Sequence, residues 1–291
     1  LLLLGLLSSC SFLGFGGTAP TTGTGGNGGK APAPLTPLQV VQNAANAMRQ
    51  LKTVHVTMNA ATTTTASTAG NNGAQNTTLN VQVEGDEVLP DQAALKLSIG
   101  QVVGGQMTTM AEIVMGNKIY VQNAKGKWYV LDLAAFTSAS GNPFASAQVS
   151  NYNNLLTLAQ KSPLVDNGEE SLNGVTVRHI TVNFGKNVLR ELLNTTGQIN
   201  NLQAQQRQKL EAFLNSVDLE KPTLDLWIDK ATFYVQRMEL KFTLQTQAQG
   251  NTPASTTTED TVIDYSKFNA PVTISAPNGA TPTNDLATIF K

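Results

Sequence analysis

Enzyme chemistry needs nucleophiles, proton carriers or metal ligands at workable spacing, and this chain carries few of them. Its one cysteine, Cys10, closes the run Leu7-Ser8-Ser9-Cys10 behind a short apolar stretch, LLLLGLLSSC. An apolar residue, two small ones and a cysteine form the pattern of a bacterial lipobox. The small residues let a peptidase grip extended backbone beside the cysteine, and the thiol accepts diacylglycerol. The competing reading is an ordinary secretory signal that contains a cysteine. The apolar run is too short to span a bilayer, which takes about 20 residues, and it fits the apolar core of an export signal. Two features favour lipidation: the only thiol sits here, and a segment that cannot fold follows it. Neither a Met nor a basic segment precedes Leu1, so the sequence is expected to begin inside the signal. A single cysteine leaves no intrachain disulfide and no Cys-rich metal site, and a lipidated one offers no thiol for catalysis.

The remaining polar candidates are sparse. His55 and His179 each stand beside Val or Ile without a Cys or an HxxxH partner, so a structural or surface role fits them better than metal binding. Asp225 and Asp229 are four apart around Trp227, and on a strand the three share a face. Paired carboxylates are the tools of glycoside hydrolysis; a solvated outer face capped by an aromatic is the simpler reading. Glu169-Glu170 precede a hairpin turn and are expected in solvent. Trp128-Tyr129, after Lys125-Gly126-Lys127, fit either a membrane-facing rim or an ordinary hairpin end. Asn76-Thr77-Thr78 and Asn194-Thr195-Thr196 match a glycosylation sequon, which carries no weight in a bacterial lipoprotein. The chain holds no GxSxG elbow, P-loop or HExxH pair. No catalytic, metal or cofactor set is expected, and the chain reads as a non-enzyme.

Composition narrows the partners. Lys plus Arg (19) and Asp plus Glu (20) nearly cancel, so no net field recruits nucleic acid or an anionic surface. Only 13% of residues are charged, and amide and hydroxyl groups supply the solubility, as in many exported proteins. Residues 11–34, rich in Gly, Thr and Pro, cannot bury a core. As a flexible coil they reach roughly 25–30 Å, about one domain diameter. The expected organisation is a signal remnant and lipobox at 1–10, a tether at 11–34, a folded domain at 35–270 and a tail at 271–291. About 255 residues remain for a single β-rich domain with a sizeable core.

Periodicity fills in that domain. Thr36-Pro37-Leu38-Gln39 has the form of a capping box with Pro at the first helical position. Val41, Ala44, Ala45, Met48 and Leu51 recur at helical spacing, so 37–51 is predicted as an amphipathic helix. Strands are predicted at 54–64, 77–84, 93–99, 106–115, 118–122, 127–131, 164–172, 175–184, 223–229, 234–246 and 257–265, separated by turn signals such as Asn71-Asn72-Gly73, Gly116-Asn117 and Asn173-Gly174. Short helices are expected at 133–136 and 154–160 around a loop at 138–150. A broken helix is expected over 186–217, interrupted near Thr195-Thr196-Gly197, its second piece aligning Ile199, Leu202, Leu210, Phe213 and Val217. The fold class is α+β: a curled antiparallel sheet of about ten strands, a half-open barrel, with helices covering or filling its concave apolar face. So many strands cannot stay flat, because twist accumulates. The predicted inward residues, and so the apolar cavity candidates, are Leu95, Leu97, Ile99, Ile113, Leu226, Ile228, Leu240 and Phe242. Asp225, Lys241 and Thr243 are predicted to face out.

The ordered segments MRQLKTVHVTM, GNKIYVQNAKGKWYVLDL, ESLNGVTVRHITV and LDLWIDKATFYVQRMELKF, together with the lipobox, resemble the mycobacterial LppX/LprG-type lipoproteins and, more distantly, the LolA/LolB lipoprotein carriers. The resemblance covers residues 36–268. It implies a half-open β-barrel whose apolar cavity holds acyl chains of lipids or lipidated molecules, with no catalytic signature. The chain departs from the pattern in its Gln/Asn-rich 197–209 segment and its many threonines, so the ligand's identity does not transfer. Two functions follow as expectations. One is a monomeric lipoprotein, lipid-anchored on the extracytoplasmic face of the cell membrane, that binds or carries an acyl-chain lipid or lipidated ligand. The alternative is a sensor or protein-interaction module of the same fold, its concave face filled by its own helices.

Overall fold

A computed structural model describes residues 34–67, 74–101, 107–132, 158–188, 190, 204–248 and 254–289. The lipobox, the tether up to residue 33, the turn at 71–73, the helix at 133–136, the loop at 138–150, the first part of the helix at 154–160 and the helix break at 195–197 lie outside these residues.

Helix α1 (Pro37–Arg49) starts where the sequence places it. The Thr36 hydroxyl accepts from the Gln39 backbone N–H at 3.3 Å, and the Gln39 side chain accepts from the Thr36 N–H at 2.8 Å. Two donors at the helix start are thereby satisfied reciprocally. Val40, Val41, Ala44, Ala45 and Met48 form its buried stripe, and the two alanines let the helix approach the sheet closely.

The strands are β1 (Thr53–Ser67), β2 (Ala74–Val88), β3 (Gln92–Gln101), β4 (Thr108–Met115), β5 (Lys118–Gln122), β6 (Trp128–Asp132), β7 (Leu164–Leu172), β8 (Val175–Asn183), β9 (Val217–Asp229), β10 (Val235–Thr246), β11 (Ser255–Ser266) and β12 (Thr281–Pro282). Helix α2 (Ala204–Ser216) runs directly into β9, and a short α3 (Leu286–Ile289) ends the described chain. All twelve strands lie in one sheet, ordered β12-β6-β5-β4-β3-β2-β1-β11-β10-β9-β8-β7. Two meanders, β1 to β6 and β7 to β11, are joined along β1 and β11, which pair antiparallel from His55–Ser266 to Ala66–Ser255. The sheet is a single open, curled, antiparallel one with few helices; only β12 pairs parallel, with β6. Among the described residues the count is therefore twelve strands where about ten were predicted.

The ladder is irregular at several positions, and two of them shape the strands around the core. Gly85, in mid-strand, faces inward between Val56 and Leu95, and a Cβ there would lie 2.0 Å from the Ala94 carbonyl oxygen. Only glycine permits that approach. In β9 the register with β10 jumps between Lys241 and Thr243. Lys221, at φ 44°, sits at that bulge beside Pro222, whose missing N–H is not required by the ladder there. The strand thus begins at Val217 rather than Thr223.

Among the described residues the core lies on the inner face in three groups. The first joins the α1 stripe to Ile180, Leu226, Ile228 and Tyr265. The second joins the inward residues of β2 to β6, among them Val83, Leu95, Val114 and Val121, to Ile289 of α3. The third is small: Val217, Phe242 and Leu244. In the segment 271–291, read from the sequence as a tail, the described residues return to the sheet through β12, and Ile289 is only 1% exposed.

Candidate functional site

Strand alternation decides which side chains face the concave side. Leu95, Leu97 and Ile99 share the inner side of β3 and stand opposite Gly85, Val83 and Val81 of β2. Leu95 is buried, while Leu97 and Ile99 are partly buried against the same group. Leu226 and Ile228 are fully buried beneath α1. Leu240 touches both the first and the third group, and Phe242 belongs to the third. The inward candidates thus fall in separate parts of one face rather than at a single point. Ile113 does not join them. It pairs with Ala94 and Tyr120 and lies on the outer face, because Glu112 and Val114 point inward in its place.

Glu112 was not anticipated from the sequence. It stands between Leu95 and Val121, both core residues, and is 2% exposed. Its Oε1 has no hydrogen-bond partner among the described residues. Burial in apolar surroundings pushes its carboxyl up to about 8, because a charged form is poorly solvated there. The sequence does hold a signal for it. The Gly116-Asn117 turn pairs Met115 with Lys118 and Val114 with Ile119, so the alternation of Ile119 and Val121 in β5 assigns Glu112 to the inner side. Within AEIVM alone both parities carry an apolar residue, and the register is ambiguous.

Glu259 is a second inward carboxyl, 5% exposed and opposite Phe242. Thr62 donates to its Oε2 at 2.6 Å and Thr261 to its Oε1 at 2.7 Å. Both oxygens are satisfied, and the group forms a polar seam between the apolar groups.

The outer face collects the other sequence candidates. His179 stacks on Trp227 with ring centroids 4.4 Å apart, and its Nε2 lies 2.9 Å from Asp225 Oδ1. Thr181 also donates to Asp225, and the Trp227 indole N–H donates to Glu170. Asp229 serves the backbone instead, where its Oδ1 accepts from the Ala231 and Thr232 N–H groups and closes the turn into β10. The two aspartates are therefore not a matched pair. His55 Nδ1 lies 2.7 Å from Asp86 Oδ1, also on the outer face. Among the described residues no group of three or more His, Cys, Asp or Glu is arranged to hold a metal ion. Tyr129 faces inward in the second core group, and the Lys127 ammonium sits 5.1 Å from its ring centroid. Asn123 Oδ1 accepts from the Lys125 and Lys127 N–H groups at 3.0 Å each and fixes that hairpin end.

At one edge Arg178 ties the start of the domain to β7. Its guanidinium donates to Leu35 O at 2.7 Å and to the Asp166 carboxylate, which it holds below the usual carboxylate range. A register shift at Gly168 bulges the same edge strand. Among the described residues no helix is long and apolar enough to cross a membrane.

The model of one protein family, described as a family of unknown function (DUF6612), matches residues 36–283. The chain belongs to DUF6612. No curated protein matches it. Among solved structures this DUF6612 chain is similar to the Mycobacterium tuberculosis lipoprotein LppX, at 16% identity and a TM-score of 0.42, over 82% of this chain and 97% of that one. It is similar to LprF from Mycobacterium bovis, at 13% identity and a TM-score of 0.46, over 83% and 97% of the two chains. A third similar structure is an outer membrane lipoprotein-sorting protein domain from Vibrio parahaemolyticus, at 12% identity and a TM-score of 0.24, over 81% and 93%.

Proposed function

We propose that this protein is an extracytoplasmic lipoprotein, anchored to the cell membrane through lipid on Cys10, which binds or carries an acyl-chain lipid or lipidated molecule against the inner face of its open sheet. The observation that carries this reading is that face: twelve strands curl without closing, and most inward positions from β2 to β6 are apolar. An acyl chain leaving a bilayer for water loses about 0.8 kcal/mol for each CH₂ exposed. An apolar wall offsets most of that loss, so loading and unloading stay near balance, as a carrier requires. Because α1 occupies the wall formed by β8 to β11, the ligand belongs against β2 to β6. The reading assigns no catalytic residue. The bulged edge strand, carrying Asp166, Glu169 and Glu170, supports a monomer, since charge and bulges discourage edge-to-edge pairing.

The seat of α1 also favours a second reading, in which the face is filled from within and the protein is a sensor or interaction module. One experiment separates them. The chain carrying Cys10→Ser is expected to leave the membrane fraction folded, and mass spectrometry of its organic extract should find acyl lipid. Leu97→Trp, on the inner side of β3, should abolish that lipid with little change in melting temperature. A strongly destabilised Leu97→Trp, with no lipid from the parent, would favour the module. Persistent membrane association of Cys10→Ser would exclude Cys10 as the sole anchor.

A further inference from the structure

On the inner wall formed by β3, β4 and β5, Glu112 stands among apolar residues, between Leu95 and Val121, with Oε1 fully buried and unpartnered among the described residues. Leaving such a group unsatisfied is costly, and a leucine of similar size would avoid the cost. The contrast with Glu259 is informative. That carboxyl sits on the same face and has a threonine hydroxyl on each oxygen, whereas Glu112 at mid-wall has no such hydroxyl on Oε1.

We propose that Glu112 is the polar contact of the lipid site, and that it recognises an uncharged oxygen, an ester carbonyl or a hydroxyl, carried on an otherwise apolar ligand. This rests on the lipid-binding reading above and adds the ligand's chemistry to it. A protonated carboxyl offers one O–H donor and one acceptor oxygen, which match an ester or an alcohol and discriminate against a bare hydrocarbon. A free carboxylate as ligand would bring an uncompensated negative charge into a wall with no cation at the facing register positions, Leu95 and Val121. Neutral oxygenated lipids are therefore preferred to fatty-acid anions.

The test uses the full chain carrying Cys10→Ser, so that its own lipid cannot occupy the face. Hexadecane, methyl palmitate and palmitate are titrated against a bound apolar dye, 1-aminoanthracene, for this parent, Glu112→Gln and Glu112→Leu. Methyl palmitate should bind the parent more tightly than palmitate does. Glu112→Leu should weaken methyl palmitate by about tenfold, the equivalent of one net hydrogen bond, and leave hexadecane unchanged. Glu112→Gln, which keeps a donor and an acceptor, should stay within about threefold of the parent for the ester. A second measurement does not depend on the variants folding: the ester carbonyl stretch of methyl palmitate bound to the parent should fall to the hydrogen-bonded position. Unaltered ester affinity in Glu112→Leu, or a carbonyl stretch at the free-ester position, overturns the assignment while the lipid-binding reading stands. A parent that binds none of the probes overturns both.

Discussion

Glu112 ties protonation to folding. In the native chain its carboxyl is pushed up to about 8 from 4.5 by burial, so between those values the folded state holds a proton that the unfolded state has released. Stability must then fall as pH rises through that window, being fully present below the unfolded value and lost through the folded one. The loss between about pH 5 and about pH 8 amounts to roughly 3–4 kcal/mol for this group. Denaturant titrations of the parent and of Glu112→Gln at both pH values check it. The parent's stability should drop more steeply, and parallel pH profiles would mean that the carboxyl reaches water. His179 makes the opposite point at the same scale: stacked on Trp227 and bonded to Asp225, it occupies the outer face, away from the inner wall.

At the level of elements, Gly85 sets how tightly β2 and β3 approach. Gly85→Ala places a Cβ 2.0 Å from the Ala94 carbonyl oxygen, backbone that cannot swing aside, and the sheet must open locally. The expected cost is about 1–3 kcal/mol or more, read as a fall in the denaturation midpoint. Unchanged stability would mean that the two strands are not held at this distance. The same glycine explains why the sequence ended strand two at Glu84 whereas β2 runs to Val88, since glycine reads as a stop when a single strand is viewed alone. The elements that local chemistry dictates were legible. The capping box at Thr36 and the Asn173-Gly174 turn, with φ 53° and 82°, stand where the residue types require them. Strands β5 and β7 match their predicted bounds. Features fixed by partners distant in sequence were not legible. The early start of β9 depends on a bulge against β10, the inward turn of Glu112 on its hairpin partner β5, and the return of β12 on β6.

For the molecule as a whole, the two meanders carry separate cores: β8 to β11 are packed beneath α1, and β2 to β6 form the wall to which the proposed function assigns the ligand. Tryptophan substitution on each side separates these roles. Leu226 is 0% exposed and contacts the α1 group, so Leu226→Trp forces a large ring into close-packed space, which typically costs about 1–3 kcal/mol and occasionally more. Leu97 is only partly buried on the inner side of β3, where a larger ring would occupy ligand volume instead of core. Leu97→Trp should therefore keep a melting temperature close to the parent's and lose the co-purifying acyl lipid. Leu226→Trp should melt well below the parent and, where it remains folded, keep its lipid. Melting curves and lipid extraction on the two variants read both properties at once. If Leu97→Trp melts as low as Leu226→Trp, the β2-to-β6 wall is itself a closed core, and the ligand site assigned to it is lost.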